Sequence, residues 1–351
     1  MNDAQLTESL RDEALAAGFA KFGVAEARAL DDEGRQLDAW LAAGRHGEMA
    51  WMARTAAVRK DPRHAGMLPE AKSVVVLAAP YAHATEAPTL SPGRIAKYAV
   101  GRDYHNVLTK RARRLQRRLR DAGHVARVAV DSKPVFERAW AERAGIGFVG
   151  KNCCLIVPGI GSHVFLVCIV TTARLSRTPP MARKCGTCTL CLDACPTRAF
   201  EAERSLDARK CISYLTIEHR GPIPDEQRRG LGSWVFGCDV CQDVCPYNRG
   251  AQAGVAPLAA FEPDARWDGV DAEALLTMDD ERFRAWSQGS PVKRATREGL
   301  ARNAALVLGN RGGRSHLRVL DQAARHHDAQ RVREAATWAL DELRSRLGES
   351  A

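Results

Sequence analysis

The chain has 351 residues, 27% of them charged and 45% apolar, which suits two or three folded domains and excludes global disorder. Its net charge of +10, from 52 Lys and Arg against 42 Asp and Glu, favours polyanionic or acidic partners, although an arginine-rich composition with ordinary solvated faces gives the same figure. The N-terminus, M-N-D-A-Q-L-T-E-S-L, lacks the regions of an export signal, and the longest apolar runs, around Val74 and from Val164 to Val170, are too short to cross a bilayer, so a cytoplasmic protein without membrane contact is expected.

Leu6, Leu10, Ala14 and Leu15 predict an amphipathic first helix that stops at Gly18. A second piece runs from Leu37 to Met52, with Trp51 and Met52 as core or pocket wall, before a loop punctuated by Pro62 and Pro69. Ser73 to Ala79 is short and β-branched, which predicts a buried strand. After a loop rich in Pro and Gly, Leu108, Ala112, Leu115 and Leu119 form one helical stripe. The remaining face carries Lys110, Arg111, Arg113, Arg114, Arg117, Arg118 and Arg120, and either contacts phosphate or is simply solvated. Val125 to Val130 predicts a second strand that delivers Asp131 at its C-terminal end, where the carboxylate serves chemistry or caps the next helix. That helix closes at Gly145.

Gly145 to Gly150 fits G-x-G-x-x-G, and its extension to Lys151 and Asn152 approaches a P-loop. A helix precedes it and an apolar run follows, the reverse of the strand-then-helix setting a nucleotide loop requires, so neither NAD nor ATP is expected. His163 to Val170 predicts another buried strand, with Cys168 as a small core residue; Cys153 and Cys154 have no partner at ligand spacing and are read as packing.

Eight of the eleven cysteines lie between Cys185 and Pro246. The run C-G-T-C-T-L-C-L-D-A-C-P has the spacing of a bacterial ferredoxin, and in two-cluster versions the fourth cysteine serves the other cluster. One 4Fe-4S cluster is therefore assigned to Cys185, Cys188, Cys191 and Cys245, and a second to Cys195, Cys211, Cys238 and Cys241. Structural zinc or disulfides are the alternatives; a third cysteine at x2 in the first run and two C-x3-C-P endings argue against the first, and the missing export signal against the second. The intervening R-K-C-I-S-Y-L-T-I-E is expected to be helical. From about Pro291, R-N-A-A-L-V-L-G at Arg302 and R-E-A-A-T-W-A-L at Arg333 suggest two units of a HEAT-like helical repeat with a macromolecule-binding face.

Together these residues resemble the epoxyqueuosine reductase family. The motifs are G-R-D-Y-H at Gly101, V-D-S at Val130, A-E-R-A-G-I-G-F-V-G-K-N at Ala141, R-K-C-I-S-Y-L-T at Arg209, G-C-D-V-C-Q-D-V-C-P at Gly237 and the ferredoxin run, which extend over most of residues 1–250. The resemblance implies an α+β protein in three parts. These are a nitroreductase-like α/β cobalamin-binding catalytic domain (1–175), a two-cluster ferredoxin-like domain (176–255) and a helical HEAT-like domain (256–351). It implies reduction of epoxyqueuosine to queuosine in tRNA, the last step of that modification, by a cobalamin enzyme related to reductive dehalogenases. Asp131 would be the proton donor, with a carboxyl pKa raised by burial. Arg59 and Asn152 would line the cobalamin pocket, with Ser213 and Asp239 near it, while Lys210 and Thr216 would contact tRNA. Cys185, Cys188, Cys191 and Cys245 would hold the cluster nearer the cobalt. A monomer is expected, with the anticodon arm of tRNA and a reduced flavodoxin or ferredoxin as partners. Competing readings are a dehalogenase-like reductase of small molecules, a ferredoxin-type electron carrier and a zinc-bearing RNA-binding protein. The basic helix, the 180 or so residues before the cysteines and the double cysteine run weigh against these in turn.

Overall fold

The computed structural model describes residues 2–81, 89–249, 256–268 and 270–349; the loop after Ala79 and the boundary drawn at residue 255 fall partly outside them. Strands Lys21–Glu26, Ser73–Pro80, Val164–Thr171 and Ala126–Ala129 form, in that spatial order, a four-stranded sheet in which every neighbouring pair is antiparallel. All eight residues of Ser73–Pro80 are buried because both faces of the sheet are covered. Side chains alternate along a strand, so Val75, Leu77 and Ala79 meet helices Asp3–Ala16 and Tyr104–Asp121 on one side. Val74, Val76 and Ala78 meet Trp140 of helix Glu137–Arg143 on the other, where Cys168 is also buried. The stripe Leu108, Ala112, Leu115 and Leu119 is fully buried as expected. Leu6, Leu10 and Ala14 are buried too, but Leu15 is 52% exposed: it lies one position off the face that meets the sheet.

Phe148–Val149 pairs with Leu155–Ile156 as a small hairpin, so the glycine run opens a strand and not a helix. Each cysteine run turns into a short helix, Leu190–Asp193 and Val240–Asp243, and the two helices lie against each other. Helix Ile212–Ile217 begins directly after Cys211.

The packing runs across the boundaries drawn at residues 175 and 255. One apolar cluster joins Ile95, Ala96 and Val100, Ile212 and Leu215, Trp234 and Phe236, and the C-terminal helices. Strand Trp234–Phe236 also pairs in parallel with Gly93–Ile95. The two repeat-like sequences are helices Arg297–Arg311 and Gln330–Leu347, packed on each other. Gly309 allows their close approach, since a Cβ there would stand 2.7 Å from the Ala339 Cα. Positions 299 to 309 of the first helix are all buried, including Arg302 and Asn303, so it is the centre of a core and not one leaf of a free-standing repeat. Arg302 donates to the carbonyls of Leu215, His219 and Gly221, and Asn303 donates to those of Thr216 and Val235. Buried carbonyls on the cluster-bearing segment are thereby satisfied from the C-terminal helix.

Candidate active site

Strand Ala126–Ala129 hands the chain to Asp131, whose φ of +47° is left-handed, a region short Asp side chains tolerate. Asp131 does not cap the following helix. Its carboxylate turns to the start of helix Tyr104–Asp121, where it accepts the Tyr104 hydroxyl and lies 3.3 Å from His105 Nε2. The other ring nitrogen, Nδ1, is 2.8 Å from Asp103 Oδ1, which also caps the helix by accepting the His105 N–H. The Tyr104 ring is stacked between His105 at 4.1 Å and Phe165 at 4.3 Å, so the group has little freedom to rotate.

The Asp131 side chain is 63% exposed, yet loss of solvent is the largest single influence on its ionisation. Water reaches the carboxylate, with Tyr104 and His105 against it. Desolvation would raise its pKa, but hydrogen bonds from His105 and Tyr104 and the charges of His105 and Arg138 outweigh it. The net shift is downward, which corrects the expectation of a raised carboxyl. Desolvation likewise works against His105, but Asp103 and Asp131 lift its pKa to about 9. At neutral pH the carboxylate is therefore ionised and the proton sits on the histidine. The D-Y-H triplet was visible in the sequence; what local pattern could not supply is Asp131 arriving 26 residues after His105.

Arg59 is buried and spans the rings of Trp51 and Phe136, and it donates to the Val135 carbonyl at 3.2 Å. It thus braces the turn that carries Asp131. Beside it, burial raises Glu137 to about 8, and its Oε1 is without a hydrogen-bond partner. On the opposite wall Tyr98 meets Tyr104 edge-on at 6.1 Å and faces Phe236 at 6.0 Å. Asp239 is 2% exposed, accepts the Lys97 N–H at 2.7 Å, and is raised by burial to about 6. Ser213 interacts with the Cys211 thiol in the first turn of its helix. Asn152 donates to the Cys241 carbonyl at 3.0 Å and accepts the Cys154 N–H at 3.1 Å, so it holds two loops together.

None of the eleven cysteines is in a disulfide. Cys185, Cys188, Cys191 and Cys245 line one cavity with Lys151, Leu190 and Tyr247. Cys211 and Cys195 act on Cys238, and Cys211 and Cys238 act on Cys241, which brings the other four together. Among the described residues no three His, Cys, Asp or Glu converge tightly enough for a single metal ion, whereas two groups of four thiols suit the larger 4Fe-4S cube. The set containing Cys238 and Cys241 flanks Asp239 and connects through Phe236, Tyr98 and Tyr104 to Asp131. The set containing Cys185 lies beside Leu190, which is 45% exposed. The aromatic path to Asp131 thus starts from the Cys238 set. Cys154 also contacts the Cys241 thiol, a closer role than general packing.

Thr216 is 1% exposed; its hydroxyl donates to the Ile212 carbonyl and accepts the Gly237 N–H at 3.0 Å. It is spent inside the fold and does not face a partner, which corrects its reading as a tRNA contact. Lys210 is on the surface, paired with Glu201 at 2.7 Å. On the basic helix Lys110, Arg113, Arg114, Arg117, Arg118 and Arg120 are exposed, while Arg111 turns inward to the Ala17 carbonyl.

A family profile described as epoxyqueuosine reductase QueG matches residues 59–132, and one described as a 4Fe-4S double cluster binding domain matches residues 184–248. The chain is 42% identical over 318 residues to the epoxyqueuosine reductase of Gloeobacter violaceus, covering 88% of this chain and 98% of that one. It is 40% identical over 343 residues to that of Xanthomonas campestris pv. campestris, with 94% of each covered. Its structure is similar to that of an epoxyqueuosine reductase crystallised with an epoxyqueuosine-modified tRNA-Tyr stem loop, at a TM-score of 0.89 and 31% identity over 97% of this chain and 91% of that one. It is also similar to the Bacillus subtilis enzyme solved with its catalytic loop swung out of the active site, at a TM-score of 0.87 and 31% identity over the same shares.

Proposed function

The chain belongs to the epoxyqueuosine reductase family, and on that premise we propose that it reduces epoxyqueuosine to queuosine in tRNA, with Asp131 delivering protons to the departing oxygen. The observation that carries this reading is a solvent-open carboxylate joined by Tyr104, Tyr98 and Phe236 to the cysteines around Asp239. Removing the epoxide oxygen as water and leaving an alkene consumes two electrons and two protons. When bound, reduced cobalamin and two 4Fe-4S clusters supply the electron chemistry.

The chain's own residues do the rest. Cobalamin would be held beside Asp131, which is open to solvent, with Tyr98 packed edge-on against Tyr104 and with the buried Glu137 Oε1 beside Arg59 without a hydrogen-bond partner among the described residues. Asp131 protonates an oxygen that otherwise leaves poorly. Arg59 fixes the Asp131 turn through Val135, and Asp239, next to Cys238, fixes the Lys97 backbone. Ser213 and Asn152 hold the Cys211 and Cys241 segments, and so support the pocket from behind. The exposed arginines between Lys110 and Arg120, with Lys210, supply phosphate contacts for the anticodon arm. A small reduced electron carrier of the flavodoxin or ferredoxin type meets the outer cysteines beside Leu190, and the protein works as a cytoplasmic monomer.

The test is single turnover of an epoxyqueuosine-bearing stem loop by the loaded enzyme, with product read by mass. Asp131→Asn keeps the side-chain shape and the left-handed backbone, and should abolish product while iron and corrinoid contents stay at wild-type levels. Retained turnover would remove Asp131 from the mechanism.

A further inference from the structure

An ionised Asp131 cannot be the resting source of the proton it delivers. We propose that His105 is the proton store of the active site, a positioning residue that recharges Asp131 through its Nε2 while Asp103 holds its other nitrogen. This rests on the reading of Asp131 given above.

The geometry sets the route of transfer. Asp103 Oδ1 accepts from both the His105 backbone N–H and Nδ1, which leaves Nε2 as the nitrogen facing Asp131 at 3.3 Å. Stacking on Tyr104 at 4.1 Å keeps the imidazole from turning away. Tyr104 donates to the same carboxylate but is no source, because burial and the adjacent Asp131 charge push its hydroxyl far above its ordinary pKa. His105, lifted to about 9, is charged at neutral pH and is the more acidic of the two donors. The other charged or titratable groups facing this cluster are Arg59, Arg138 and Arg294, Tyr98, and Glu137, which burial and the Asp131 charge raise to about 8.

In the step itself the His105 Nε2–H bond breaks and an Asp131 Oδ2–H bond forms. The imidazole is left neutral, with its remaining proton on Nδ1 toward Asp103. Asp131 then passes the proton to the leaving oxygen. Solvent reprotonates Nε2, whose side chain is 32% exposed, and the same route serves the second proton. The two electrons come from the reduced donor of the established reaction, and the products are the alkene and water.

Single-turnover rates against pH, with the loaded enzyme and an epoxyqueuosine-bearing stem loop, test the proposal. The wild type should lose rate as pH rises through about 9, where the store empties. His105→Gln should fall on the order of 10²-fold at pH 8, and its declining limb should move more than one unit toward acid, since Asp131 must then charge from water. His105→Gln with the wild-type limb and rate would overturn the proposal, whereas turnover by Asp131→Asn would overturn the Asp131 reading beneath it. If the His105 variant folds poorly, the wild type carries the test alone by histidine-selective NMR. A ring that titrates near 9 with Nδ1 protonated throughout supports the store, and one that titrates near 6.5 refutes it.

Discussion

Thr216→Val separates a structural role for this residue from an RNA-contacting one. The two side chains have similar volume, so the change removes a hydroxyl and adds little strain. That hydroxyl accepts the Gly237 N–H at 3.0 Å, one residue before Cys238, and donates to the Ile212 carbonyl at 2.7 Å. Valine leaves the buried Gly237 N–H without a partner. The Ile212 carbonyl keeps its helical surroundings, so a single unsatisfied donor dominates, at ~1–3 kcal/mol. For a chain of this length that corresponds to a fall in Tm of about 1–4 °C. The assay is thermal unfolding of the loaded protein, together with iron content and stem-loop binding across a salt series. The expected result is a lower Tm and less iron held by the Cys238 loop, with affinity and salt slope unchanged. Unchanged stability with weakened RNA binding would refute the burial argument and restore Thr216 as a contact.

Replacing Arg113, Arg114 and Arg117 together by Ala should weaken stem-loop binding and make the salt dependence shallower by about 0.7–0.9 for each phosphate no longer neutralised, with Tm held; an unchanged salt slope would mean that this face is only solvated. Arg302→Met leaves the Leu215, His219 and Gly221 carbonyls unpaired in the core, so denaturant unfolding should register a loss of roughly 3 kcal/mol or more, accompanied by lower iron content. The His105 charge also affects stability. Its folded pKa is raised to about 9, so its contribution is complete below the unfolded value near 6.5 and disappears as pH rises through 9. The stability gap between wild type and His105→Gln, measured in urea, should therefore be widest near pH 6 and close above pH 9.5; a constant gap would assign the loss to packing.

Much of the framework was legible because the signals were periodic or covalently spaced. The stripe from Leu108 to Leu119, the β-branched strands and the cysteine runs each carry their meaning within a few residues. The failures share a physical cause, which is dependence on partners distant in sequence. Leu15 has the right residue type one position off the buried face. Asp131 was expected to be protonated from burial alone, whereas His105 and Tyr104 reverse the sign. Thr216 sits in a plausible surface motif, and only its bond to Gly237 shows where the hydroxyl points. The alanine-rich helices read as a separate repeat because sequence does not reveal that Arg302 and Asn303 point into the cluster-bearing segment.

The shared core has a consequence for how substrate is admitted. Gly93–Ile95, the Cys211 helix and helix Arg297–Arg311 are bound into one apolar cluster, so these segments move as one body and do not part to admit a nucleoside between them. The RNA has to yield as well. The wobble nucleoside has to leave its stack and swing toward Asp131, at a cost of a few kcal/mol. Discrimination among tRNAs would then depend on how readily each anticodon loop opens, as well as on what the protein touches.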